Sequence, residues 1–122
     1  LFLSIILWFR SETTRGGNRI DCNKLTNLVN KESACLVDVR PRSEFEAGAI
    51  AGSVNIPFDE LENRNDELLK QKENPIVLVC KMGRNAALAG EKMQTYGYKK
   101  THVLQGGIST WQQEGLPLVK VK

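Results

Sequence analysis

The sequence predicts an α/β domain with a mainly parallel central sheet and helices on both faces. Three observations carry that prediction. Short apolar runs alternate with helical tracts at the spacing of strand–helix–strand units. The run Ile76-Val77-Leu78-Val79 is apolar at every position, as a strand covered on both faces requires. Directly after it come a six-residue turn, Cys80 to Asn85, and the good helix formers Ala86-Ala87-Leu88-Ala89. In such sheets ligands gather beyond the carboxyl ends of the strands, which makes that turn the first place to look for chemistry.

Each element has its own signal. Asp21 is placed to cap a helix over Asn23 to Lys31, with Leu25, Leu28 and Val29 on one face. Ala34 to Val39 reads as a central strand ending at Asp38-Val39-Arg40, and Pro41 discourages helix at Arg40. Ser43 to Glu46 forms a turn of helix that Gly48 ends. Ile50 to Pro57 gives a turn and a short strand. Phe58 to Lys70 is a helical tract with Leu61, Leu68 and Leu69 as its apolar face, interrupted at Asn63 and Asn65. The helix after Asn85 stops at Gly97, Thr101 to Leu104 forms another strand, and Gly106-Gly107 is a turn with room for close backbone approach. Ile108 to Glu114 is the last helix, ended by Gly115-Leu116-Pro117.

The 122 residues suffice for one domain with a single modest core. The formal charge of +3 comes without a lysine–arginine run interleaved with aromatics, so nucleic acid is not an expected partner. The three cysteines, Cys22, Cys35 and Cys80, have neither metal-ligand nor disulfide-framework spacing. No metal or cofactor is implied, and free thiols suit a reducing compartment. The first nine residues are apolar apart from Ser4, and Arg10, Arg15 and Arg19 follow. A spanning helix needs about 20 apolar residues. Residues 1–9 therefore read as the end of a truncated transmembrane anchor, 10–18 as a polar linker and 19–120 as the folded domain. The positive-inside rule places that domain on the cytoplasmic side of an inner membrane. The rival readings are the remnant of a signal peptide and a stray hydrophobic tail.

Cys80 ends a strand and precedes a helix. Amides of residues 81 to 86 lack helical partners and can converge on its sulfur. The helix contributes about half a positive charge there, and Lys81 and Arg84 add more. An ordinary cysteine, with a pKa near ~8.5, is a few per cent thiolate at neutral pH; lowering that by about two units, worth ~2.7 kcal/mol, makes it mostly thiolate. Cys80 is thus the candidate nucleophile. Cys35 reads as strand filling and Cys22 has no second supporting feature. His102, the single histidine, sits on a strand away from Cys80, and Trp8 and Trp111 read as interface and core residues.

With these residues in hand, the chain resembles a rhodanese domain over roughly residues 20 to 118. Leu36 to Arg40 with Glu44-Phe45, Gly48 to Pro57, Cys80 to Ala86, and Leu104 to Ile108 with Trp111 and Gly115-Leu116-Pro117 match family motifs in register. The resemblance implies a sulfurtransferase: a thiolate takes the outer sulfur of a donor such as thiosulfate or a persulfide, and passes it to a thiol acceptor, a protein thiol included. It makes Cys80 the persulfide carrier and Lys81, Met82, Gly83, Arg84 and Asn85 the substrate-binding cradle. Asp38 and Arg40 brace the site.

Two positions depart from the family pattern. The sixth loop position, usually arginine, is Asn85, with Arg84 standing fifth. Ala49 replaces a frequent histidine. Two other functions compete. A cysteine phosphatase needs an arginine six residues after the cysteine, where Ala86 stands, and a longer loop. A tethered rhodanese module with little turnover, acting as a protein- or sulfur-binding domain, draws its support from Asn85.

Overall fold

A computed structural model describes residues 16–121. The expected anchor over 1–9 lies outside the described residues, as does most of the expected linker. No helix among the described residues is long and apolar enough to cross a membrane.

Among the described residues, five strands form one sheet: β1 (Asn18–Ile20), β2 (Cys35–Asp38), β3 (Val54–Asn55), β4 (Ile76–Val79) and β5 (Thr101–Leu104). Their order is β1-β5-β4-β2-β3, and every pairing is parallel. Five α-helices among the described residues accompany them: α1 (Cys22–Glu32), α2 (Arg42–Ala47), α3 (Leu61–Arg64), α4 (Arg84–Thr95) and α5 (Gly107–Gln113). The mainly parallel sheet expected from the sequence is present, and it is parallel throughout.

β4 occupies the middle of the sheet, and all four of its residues are buried. Strand geometry sends successive side chains to opposite faces. Ile76 and Leu78 join a core with Leu61, Leu68, Ala86, Ala89, Met93 and Tyr98, on the α4 side. Val77 and Val79 join a second core with Leu25, Leu28, Ile108 and Trp111, on the side of α1 and α5. Cys80 continues the alternation: its side chain falls on the α4 face.

Local chemistry sets the element ends. The Asp21 carboxylate accepts the Lys24 amide at 2.8 Å and starts α1. The tract after Phe58 breaks into three pieces, a 3₁₀ turn at Phe58–Glu60, α3, and a 3₁₀ stretch at Asn65–Gln71. The Asn65 amide group donates to the carbonyls of Leu61 and Glu62, taking acceptors that a continuing helix needs. The tighter winding also corrects the expected apolar face: Leu61 and Leu68 are buried, whereas Leu69 is 53% exposed.

β1 straddles the boundary expected between linker and domain. Gly16 and Gly17 lead into it and are buried. A Cβ on Gly17 would land on the Thr101 carbonyl of β5, and one on Gly16 on the Ala87 carbonyl of α4. Both glycines have positive φ, at 85° and 116°. Only glycine serves a chain that passes this close to two backbones.

Candidate active site

The carboxyl ends of β2 and β4 bring Arg40 and Cys80 to one pocket of about 390 Å³. Its other lining residues are Pro41, Glu44, Lys81, Met82, Arg84 and Asn85. Cys80 is only 4% exposed, yet it forms part of the pocket wall rather than being sealed off. The Gly83 amide donates to Sγ at 2.9 Å. Gly83 has φ 100° and serves as the N-cap of α4, which is the turn that swings its N–H back to the sulfur.

The expected convergence of loop amides is met by this one bond. Helix α4 begins at Arg84, and its first internal bond runs from the Ala87 amide to the Gly83 carbonyl. The amides of Arg84, Asn85 and Ala86 therefore have no acceptor among the described residues, which leaves them open to a bound anion.

Two sets of contacts hold the loop in place. Ile108 and Ser109, in the first turn of α5, donate their amides to the carbonyls of Cys80 and Lys81 at 2.9 and 3.0 Å. The close approach expected of Gly106-Gly107 is what permits this, because a Cβ on Gly107 would fall on the Cys80 carbonyl. Nearby, Asp38 and Arg40 form a buried pair, Nη2 to Oδ2 at 2.8 Å, with Nε 3.1 Å from each carboxylate oxygen. Arg40 also donates to the Gly48 carbonyl at 2.7 Å. The Asn55 side chain donates to the Asp38 and Arg40 carbonyls at 3.0 Å each, tying β3 to the strand end.

All eight sequence-derived site residues lie at this end of the sheet, with distinct placements. Lys81, Met82, Arg84 and Asn85 are exposed, and Met82 is 69% exposed at the loop tip. Arg84 faces both the sulfur pocket and a cavity on the β5 side. Asn85 faces the sulfur pocket and, on the β3 side, Phe58 and Asp59. Adjacent loop positions thus lean to opposite sides of Cys80. Sequence reasoning missed Glu44 as a wall of the sulfur pocket, and the clamp from Asn55. Both sit in motifs that were read, but neither carries a local signal for its contacts.

The remaining candidates lie elsewhere. Burial, and then the Glu114 carboxylate, push the Cys22 thiol up, and burial does the same to Cys35. His102 pairs with Val77 inside the sheet, and its buried Nδ1 has no hydrogen-bond partner among the described residues. Burial, reinforced by Lys24, holds its pKa below the usual histidine range. No cluster of His, Cys, Asp or Glu suited to a metal occurs among the described residues.

An all-parallel sheet with a cysteine-headed loop clamped between two helix starts defines a small α/β domain with its candidate site at the carboxyl ends of the strands. Residues 21–114 match the Rhodanese-like domain, and the chain belongs to that family. It is 34% identical over 119 residues to the YibN protein of Escherichia coli strain K12, covering 97% of this chain and 82% of that one. It is 31% identical to a sulfurtransferase of Allochromatium vinosum, covering 84% and 94%. Among solved structures, a rhodanese-related protein of Thermoplasma volcanium superposes with a TM-score of 0.74 at 30% identity, covering 83% and 96%.

Proposed function

We propose that the chain is a sulfurtransferase that carries sulfane sulfur as a persulfide on Cys80. The Cys80 thiolate attacks the outer sulfur of a donor such as thiosulfate; an S–S bond forms and sulfite leaves with the electron pair of the broken bond. An acceptor thiolate then attacks the outer sulfur of the persulfide, and the pair returns to Sγ. The supporting observation is the Gly83 amide 2.9 Å from a sulfur that opens on a pocket. An amide stabilises charge on sulfur without itself changing protonation. The three open amides and the side chains of Lys81 and Arg84 offer further donors to an anionic donor molecule.

Mass spectrometry of the intact protein tests this. Incubation with thiosulfate, or with a small organic persulfide, is expected to add one sulfur, about 32 Da. Cys80→Ser abolishes the adduct, whereas Cys22→Ser and Cys35→Ser retain it. If wild type takes up no sulfur from either donor, the proposal fails and the non-enzymatic binding module replaces it.

A further inference from the structure

The wall of the Cys80 pocket is also the wall of a second cavity. This cavity, about 420 Å³, lies on the β5 side of the loop, and Met82 and Arg84 line both. Its other walls include Arg19, Leu88, Leu104 and Gln105. It exists because β1 lies close against α4: a Cβ on Gly90 would land on the Gly16 carbonyl. That approach carries Arg19 to the same wall as Arg84.

The charges of the two cavities differ. The sulfur pocket sets a carboxylate, Glu44, among its cations: Lys81 and Arg84 line it too, and its Arg40 is committed to Asp38 and Gly48. The β5-side cavity has two arginines and an amide side chain above an apolar floor, and no acidic residue among the described residues lines it. Arg84 is exposed and makes no ion pair among the described residues. A small dianion bound at Cys80 must sit beside Glu44. A longer substrate can place its charge past the Met82–Arg84 ridge, on the side of Arg84 away from Glu44.

We propose that the β5-side cavity is a subsite for the anionic end of an organic thiol acceptor. The acceptor sulfur sits above Cys80, an apolar spacer crosses the ridge on Met82, and a terminal carboxylate meets Arg84. Its thiolate attacks the outer sulfur of the Cys80 persulfide; the new S–S bond forms as the Cys80–sulfur bond breaks, and its pair returns to Sγ. What the ligand receives rests on the sulfur-transfer reading. Where it binds does not.

Affinity labelling of Cys80 in the intact chain separates the two. The probes are ω-bromohexanoate and ω-bromohexanol, each rate normalised to its reaction with a small free thiol. The carboxylate reagent is expected to label Cys80 roughly three- to fivefold faster, the size of one exposed ion pair. The ratio falls to about one in Arg84→Ala and shrinks in raised salt. The short pair bromoacetate and bromoacetamide, whose charge stays beside Glu44, shows a smaller advantage. A ratio of one in wild type, a ratio that survives Arg84→Ala, or an equal advantage for the short pair overturns the subsite. A second arm discharges preloaded persulfide to mercaptohexanoate and mercaptohexanol, with the carboxylate thiol expected to be faster. If Cys80 never loads, sulfur transfer fails while the labelling ratio still judges the subsite. If it loads but both thiols discharge it equally, the subsite fails and sulfur transfer stands.

Discussion

Two corners of the same sheet edge treat charge in opposite ways. At the end of β2, Asp38 is 1% exposed, and its carboxylate is matched by the Arg40 side chain and backbone amide. At the end of β4, Lys81 and Arg84 face solvent, and three amides lack acceptors among the described residues. The first corner is closed, and adding anything to it breaks a bond. The second is open, and its donors are left to water or to an incoming anion. A site that must hold its shape while charge arrives and leaves needs both: a satisfied frame and an unsatisfied mouth.

Substitution breaks or sharpens this contrast. Asp38→Ala leaves Arg40 buried with its main partner gone, and is expected to cost about 3–5 kcal/mol in urea unfolding. Arg84→Ala at the open corner is expected to change stability by under about 0.5 kcal/mol, in line with other surface positions. Equal costs at the two corners would erase the distinction.

A smaller effect comes from a third place, neither open nor satisfied. His102 has its folded-state pKa below the ordinary 6.5, chiefly through burial. The unfolded chain therefore binds more protons than the folded one as pH falls through about 6.5, and stability drops with it. The loss is complete once pH is below the folded value. His102→Gln is expected to flatten that part of the pH–stability curve. A curve unchanged by the substitution would mean the acid sensitivity arises elsewhere.

Much of this was legible in the sequence because it is written locally. The apolar Ile76–Val79 run, the Asp21 cap, and the glycine pairs each act through their own few residues. Cys80 and Arg40 were placed together because both end central strands, and the sheet rule does the rest. What stayed hidden depends on distant partners. β1 is three residues long and begins Asn-Arg; it is a strand only because β5 supplies its ladder. Leu69 left the apolar stripe when Asn65 capped the preceding carbonyls with its side chain. The β5-side cavity depends on Gly16 approaching Gly90, residues 74 positions apart in the chain (90 − 16). The loop was expected to focus several amides on the sulfur, and one does so, because α4 already starts at Arg84.

The open corner makes its strongest claim about a single thiol. Exposure alone favours Cys35, which is partly exposed, over Cys80, which is buried. The geometry favours Cys80, with its pocket and amide, while burial pushes the Cys35 thiol up. Limiting iodoacetamide on the native protein at neutral pH, read peptide by peptide, decides between them. The account predicts that Cys80 is alkylated first, well ahead of Cys35 and Cys22; labelling of Cys35 first, or a Cys80 that reacts only after unfolding, would contradict it.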